Sequence, residues 1–439
     1  MTVIYLLIEE SFRELAARQI LAHDCLVRGF EVLISQQWWF AENLDKLPKG
    51  IVFFKGNNRT QGRLMSEARR LGHVVTSIEE EAFGTTYAPE LATLFDSIAL
   101  TSLDLLFVQG DAHRDFVFDV LGVDIEIAIV GNPRTDILMA GMLPDDLRKA
   151  DSIQKNCSDF VLVNTNYAGV NPYDIDTYSF FQRCIDVGVM DTSRPDQWDR
   201  FDSLMAWEQT NLRSLSSFVH RLVENRPSTN IVIRPHPSEN PTPWEKSFGS
   251  IENIKIVNDR DHLPWIFASR VVVHTSCTTG LEAALLGRPV VGICSDEHPW
   301  HGGFISNEVG RVCNSDAEAV EAVISLLDDP NNAGASDVND YLDKLYPCLM
   351  IDRERRSSQR IVDNFEQLAR KHPNLDTSFD FIGRTLNKNI LSGRRLLKVF
   401  VDLTQFRAQF ESVSEVTKNT DINVRVDELG PSVFLLRNA

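Results

Sequence analysis

Two short stretches in the second half of the chain carry residue types suited to gripping a phosphate. The first is IVIRPHPSENP, residues 231–241. A strand predicted over 230–235 ends near Arg234, and Pro235 and Pro237 fix the backbone on either side of His236. A histidine held this way at a strand's carboxyl end can donate to a phosphate or a leaving oxygen with little ordering cost. The plainer alternative is a histidine satisfied inside its own turn. Arg234 offers a planar fork for phosphate, or else pairs with an acidic neighbour. The second stretch is VVVHTSCTTGLEAALLGRPVVGI, 271–293. It reads as strand, small polar loop, helix, glycine turn and strand. Ser276, Thr278, Thr279 and Gly280 stand where the helix begins, so hydroxyls and backbone N–H groups converge on an anion site. Ordinary capping uses one hydroxyl; three occur here, with a glycine that would let a ligand approach. Glu282, one turn into the helix, is placed for ribose hydroxyls or simply for solvent. The two stretches together predict a nucleotide mono- or diphosphate site.

The first half carries carboxylates. Glu9 and Arg13 lie across the first predicted strand–helix turn, as a structural ion pair or as acceptor-binding groups. Lys55 follows a predicted strand, with Gly56, Asn57 and Asn58 after it. Glu79, Glu80 and Glu81 follow another. Charge runs are usually solvated, yet this one ends an apolar strand, and crowding raises the pKa of at least one member. Glu81 and Glu80 are therefore the favoured catalytic carboxylates. Asp136, in the turn GNPRTD, is a weaker candidate and a partner for Arg134. VNTNYAG, 163–169, opens the second half with Asn164, Thr165 and Asn166, which suit a donor-binding loop or local Asx turns. His298 and His301 in DEHPWHGG lack a carboxylate–histidine spacing that would hold a metal, so no metal site is expected.

These residues must be positioned by a particular scaffold. Apolar, β-rich runs at 3–8, 30–35, 50–55, 73–78, 105–109 and 125–131 alternate with helical patterns such as 11–28, which Gly29 ends. Alternation resumes after a polar stretch at 143–156: 160–164, 230–235, 254–258, 271–275 and 289–294 read as strands, 201–226 and 316–328 as helices. Strands apolar on both faces, alternating with helices, form a parallel, doubly wound sheet. Two such sheets are expected, with ligands at the carboxyl ends of their strands. The boundaries are placed at 1–150, 151–375 and 376–439. Residues 352–372 and 390–412 look helical, and the tail INVRVDELGPSVFLL has the pattern of a hairpin.

Length and composition set outer bounds. A chain of 439 residues with 43% hydrophobic content is long enough for two cores. A net charge of −18 opposes nucleic-acid binding. The seven cysteines form no C-x-x-C pair, as expected of small buried groups in a reducing compartment. No 18-residue apolar run occurs, so a cytoplasmic protein is expected, with at most peripheral contact at the inner membrane face.

The second half resembles GT-B glycosyltransferases, and its HP and Ser/Thr stretches are similar to the CMP-sugar site of bacterial sialyltransferases and Kdo transferases. The first half resembles the bacterial family of surface carbohydrate biosynthesis proteins, through IEESFREL (8–15), RGFEVLIS (28–35), PKGIVFFK (48–55), SIEEEAFG (77–84), VGNPRTD (130–136) and VLVNTNYAGVNP (161–172). SIEEEAFG departs from that family, which has Asp-Glu-Glu-Gly there. The resemblance implies an α/β, GT-B-like fold of two Rossmann-like domains facing a central cleft, with C-terminal helices crossing back to the first. It also implies transfer of a sugar such as Kdo from a CMP-sugar to a surface glycan or glycolipid acceptor, without a metal or other cofactor. His236, Pro237, Arg234, Asn164, Thr165, Asn166, Ser276, Thr278, Thr279, Gly280 and Glu282 would bind the donor; Glu9, Arg13 and Lys55 the acceptor; Glu81, Glu80, Asp136 and His236 would act in catalysis. Rival expectations are a CDP-polyol phosphotransferase of the teichoic-acid type, a UDP-sugar 2-epimerase, and a non-catalytic nucleotide-sugar-binding partner.

Overall fold

The run VIYLLI forms the first strand, β1 (Val3–Ile8), and every one of its residues is buried. That pattern requires helices on both faces of the sheet. It recurs in β2 (Glu31–Gln36), β3 (Ile51–Phe54), β4 (Val74–Ile78) and β5 (Leu105–Val108); the short β6 (Ile127–Ile129) is half-buried. The computed structural model describes residues 2–173, 177–186, 190–329, 339–375, 379, 386, 398–417 and 422–439. The chain divides into two compact units: Met1–Phe83, Pro89–Asp145 and Leu349–Ala439 form the first, Gly84–Ala88 and Asp146–Cys348 the second.

In the first unit β1 to β6 run parallel in the order β2-β1-β3-β4-β5-β6. The helix Ser11–Val27 follows β1 and stops where expected. Gly29, at φ +82°, takes the left-handed turn, and the N–H groups of Gly29 and Phe30 bond back to Leu26 and Cys25. The C-terminal tail is a hairpin, β13 (Val424–Gly430) and β14 (Val433–Asn438), and β14 adds antiparallel to the β2 edge.

The expected assignment of 349–375 to the second domain is corrected here. The helix Ser357–Lys371 belongs to the first unit, because its apolar face needs that unit's core. Phe365 stands edge-on to Phe53 and Phe107, with ring centroids 5.9 and 5.8 Å away, and Ile361, Val362 and Leu368 complete the contact. The helix Leu403–Thr417 adds Phe406 and Phe410 to the same core. The C-terminal helices thus cross back, as expected. Residues 390–397 of the helix expected at 390–412 lie outside the described residues. The polar stretch 143–156 is helical, within Pro144–Cys157.

The second unit holds one six-stranded parallel sheet. Its strands are β7 (Phe160–Asn164), β8 (Asn230–Arg234), β9 (Ile254–Ile256), β10 (Val271–His274), β11 (Val290–Ile293) and β12 (Arg311–Cys313), in the order β12-β11-β10-β7-β8-β9. The long helix Pro195–Asn225 buries Leu215, Phe218, Val219 and Leu222 against one face. Among the described residues, no helix is long and apolar enough to cross a membrane.

Candidate functional site

At the carboxyl end of the first unit's sheet, charged side chains form one connected cluster. Glu14, in the first turn after β1, folds back so that its Oε2 accepts the Glu9 N–H at 2.7 Å. Its Oε1 lies 3.3 Å from Lys55 Nζ. Lys55 also reaches Glu9 at 2.7 Å and Glu81 at 3.9 Å. Arg13 pairs with Glu81 at 2.7 Å and Glu14 at 3.5 Å. Glu9 pairs with Lys55 and, at 3.7 Å, with Lys398. The three predicted acceptor groups thus come together, each through partners the sequence did not assign.

The three consecutive glutamates have three different environments. Glu79 is buried; its Oε2 accepts the Asn57 backbone and side-chain N–H groups at 2.8 and 3.1 Å. Burial first, then the charge of Glu81, push its carboxyl up to about 8. Glu80 is also buried, between Arg18 Nη2 and Asn132 Nδ2, each at 3.2 Å. Glu81 is 50% exposed. Desolvation pushes its carboxyl up, but Arg13 and Lys55 outweigh it and hold the group at about 2. Burial, with crowding by Glu81 second, thus raises Glu79, while the favoured Glu81 stays ionised.

Asp136 has another use. Its two oxygens accept the N–H groups of Ser357 and Ser358, both at 2.9 Å, and so cap the helix Ser357–Lys371. Burial pushes its carboxyl up to about 6 against those bonds. Both oxygens face backbone donors rather than an open site, so the expectation of a catalytic Asp136 is corrected. The Arg134 guanidinium lies over the Phe83 ring, 4.2 Å from its centre.

In the second unit His236 is half-buried between its prolines, with Pro237 exposed. Its Nδ1 accepts the Ser238 N–H at 3.2 Å, so the neutral ring carries its proton on Nε2. Its backbone N–H donates to Thr165 Oγ1 and Glu239 Oε1, both at 3.3 Å. Glu239, unpredicted, ties the loops after β7 and β8 together. It accepts the Thr165 hydroxyl at 2.5 Å, the Tyr167 N–H at 2.9 Å and the Trp244 indole at 3.3 Å. It lies inside HPSENP itself, where its burial left no mark in the sequence.

The helix start after β10 is less open than its hydroxyl count suggests. Ser276 is fully buried, with φ +54°, and its hydroxyl lies 3.0 Å from His301 Nδ1 and accepts from Asn307 at 2.9 Å. Gly280 admits a side chain rather than a ligand: a Cβ there would stand 2.2 Å from His274 Nε2. Glu282 is buried beside His262 at 2.9 Å, away from any ribose role. Arg234 is committed to Asp259, at 2.7 Å to the carbonyl and 3.0 Å to the carboxylate. Ser276, Glu282 and Arg234 are corrected by the same cause, each polar group having found a partner within its own unit, and Gly280 by close packing on His274. Thr278 and Thr279 remain half-exposed in the first turn of Thr278–Leu285, where Cys277 provides no side-chain cap. Asn166 is half-buried and Asn164 buried. Among the described residues no group of three or more His, Cys, Asp or Glu is arranged to hold a metal; His301 Nε2 instead lies 2.8 Å from Asp296.

No protein-family model matches the chain, and no curated protein matches it. Similar solved structures exist. A UDP-GlcNAc 2-epimerase from Methanocaldococcus jannaschii is 14% identical with TM-score 0.51, over 84% of this chain and all of that one. MnaA of S. aureus, solved with UDP, is 14% identical with TM-score 0.51, over 87% of this chain and all of that one. A UDP-N-acetylglucosamine 2-epimerase assigned by inference in Listeria monocytogenes is 16% identical with TM-score 0.50, over 86% and 99%. The fold is of the GT-B type.

In each Rossmann-like unit of this GT-B fold the predicted residues gather at a topological switch point. The first unit's sheet reverses between β1 and β3, the strands followed by Glu9 and Lys55. The second reverses between β7 and β10, which end in Asn164 and His274. A crevice opens where successive crossover helices depart to opposite faces, and ligands of open α/β sheets sit there.

Proposed function

We propose that the chain is a nucleotide-sugar enzyme that transfers a sugar, a 3-deoxy-ulosonic acid such as Kdo from its CMP conjugate, to a surface glycan acceptor. The observation that carries this reading is the gathering of charged and hydroxyl groups at both switch points. In the second unit, the uncapped start of Thr278–Leu285, the Thr278 and Thr279 hydroxyls and the Nε2–H of His236 are suited to the donor phosphate. Their bonds strengthen as negative charge develops on the leaving group. In the first unit, Arg13, Lys55 and Glu9 would meet the acceptor. A carboxylate held at about 2 accepts protons poorly at neutral pH. Glu81 is therefore better suited to act as nucleophile, or to stabilise positive charge at the sugar's reacting carbon, than as general base.

A second reading is a UDP-sugar 2-epimerase, favoured by the fold likeness to the M. jannaschii and L. monocytogenes proteins. Incubating the chain with CMP-Kdo, CDP-glycerol and UDP-GlcNAc, with thermal shift and product analysis, separates the readings. Stabilisation by CMP-Kdo, with transfer of Kdo to a glycan acceptor and release of free CMP, is expected. Turnover of UDP-GlcNAc to its 2-epimer alone would replace the transferase reading, and binding without turnover would leave a passive partner.

A further inference from the structure

The two strands that flank the second unit's switch point both end in buried side chains with unsatisfied polar atoms. Asn164 closes β7, is 2% exposed, and has no hydrogen-bond partner among the described residues for either Oδ1 or Nδ2. His274 closes β10 and is fully buried. Its Nδ1 accepts the Cys277 N–H at 3.2 Å, which leaves the neutral ring's proton on Nε2; that atom packs beneath Gly280 and has no hydrogen-bond partner among the described residues. Val163 pairs with Val273 and Asn164 with Arg234, so Arg234, Asn164 and His274 lie in one row across β8, β7 and β10 and share a face of the sheet. Arg234 Nε is likewise unsatisfied.

Buried polar atoms without partners are rare, because each loses its water without regaining a bond. Asn164, with both polar atoms unsatisfied at the crevice where ligands of such sheets bind, points to something that supplies the missing bonds. A carboxamide offers a donor and an acceptor side by side. Its complement is an acceptor beside a donor, as on the pairing edge of a nucleobase. One orientation of the amide suits the O4 and N3–H of uracil; the flipped one suits the N3 and amino group of cytosine.

We propose that Asn164 determines base specificity, its carboxamide pairing with the edge of a pyrimidine. This rests on reading the second unit as the site of a cytidine or uridine nucleotide sugar, since purine edges offer the same acceptor–donor pair. The test is calorimetric titration of the full chain with UMP, CMP, AMP and ribose 5-phosphate, which lacks a base, for the wild type, Asn164→Leu and Asn164→Asp. The wild type is expected to prefer UMP or CMP, the tighter one naming the base. Asn164→Leu should lose at least about tenfold for that nucleotide while ribose 5-phosphate is unaffected, a factor of ten being modest for a desolvated base contact. Its unliganded melting temperature should rise, because an unsatisfied amide has been replaced by an apolar group of similar size. Asn164→Asp, which keeps the shape and removes the donor, should show the same loss and serves where the leucine variant does not fold. Unchanged pyrimidine affinity in both variants would mean that ordered water fills the row, and would overturn the proposal. So would an equal loss for ribose 5-phosphate, or a preference for AMP. A wild type that binds none of the three nucleotides would sink the nucleotide reading itself, and this inference with it.

Discussion

Glu79, Glu80 and Glu81 show how far three identical side chains diverge when only their surroundings differ. Glu81 keeps half its surface in solvent and faces Arg13 and Lys55. Replacing it with glutamine keeps the shape and removes the charge. Turnover should fall by about 10²-fold or more, as when a preorganised charge is lost from a reacting centre, while melting shifts little, since Lys55 keeps Glu9 and Glu14. Activity within a few-fold of wild type would remove Glu81 from the chemistry. Glu79 makes a prediction about pH. Its folded pKa, about 8, lies above its unfolded value of 4.5, so the folded chain holds this proton more tightly. The stability it lends is complete below pH 4.5 and is lost as pH rises through about 8. Asp136, at about 6, acts in the same sense, as does Glu208, which accepts the Gly169 and Val170 N–H groups and is pushed up to about 7 by burial. Glu81, at about 2, acts oppositely: its contribution is present above 4.5 and disappears as pH falls through 2. Melting curves from pH 5 to 9 should therefore decline, and Glu79→Gln should flatten that decline by on the order of 4 kcal/mol. An identical slope in the variant would show that Glu79 is ionised in the folded chain throughout.

At the scale of elements, caps and close approaches explain what motifs left open. Asp136 satisfies two of the orphan N–H groups at the start of Ser357–Lys371, from more than two hundred residues away. Asp136→Ala should cost about 1–2 kcal/mol in chemical denaturation, the cost of a lost cap with its donors left buried. A stability unchanged within error would argue against the capping role. Gly280 serves the approach of one element to another. Its missing Cβ admits the His274 ring beneath the helix Thr278–Leu285. Gly280→Ala should therefore destabilise the second unit by about 1–3 kcal/mol, as overpacking does, despite alanine's better helix propensity. A stabilised variant would show that the imidazole can move aside freely.

For the whole molecule, the first unit depends on chain that comes last. Ile361, Phe365, Phe406, Phe410 and Phe434 lie in the same buried cluster as Leu6, Phe53 and Phe107. A chain ending at Cys348 would leave those strands' apolar faces uncovered and the β2 edge unpaired. It should aggregate, and brief proteolysis should digest the first unit while sparing a fragment near Asp146–Cys348. A digestion pattern matching the intact chain would show that the C-terminal segment is dispensable.

Strand and helix order, the doubly wound class of both sheets and the gathering of candidate residues at strand ends were legible in the sequence. Burial on both faces forces apolar strands, and 3.6-residue periodicity marks the helices that cover them. Partner choice was not legible. Arg234 meeting Asp259, Glu282 meeting His262, Ser276 meeting His301 and Asp136 capping a distant helix depend on which atoms come within about 3 Å, a distance fixed by packing rather than residue type. The same holds for the C-terminal helices, since an amphipathic face states that it needs a core without stating which one. Tertiary structure alone decided which of three adjacent glutamates keeps its charge, because a carboxyl's proton affinity is set by the solvent and charges around it.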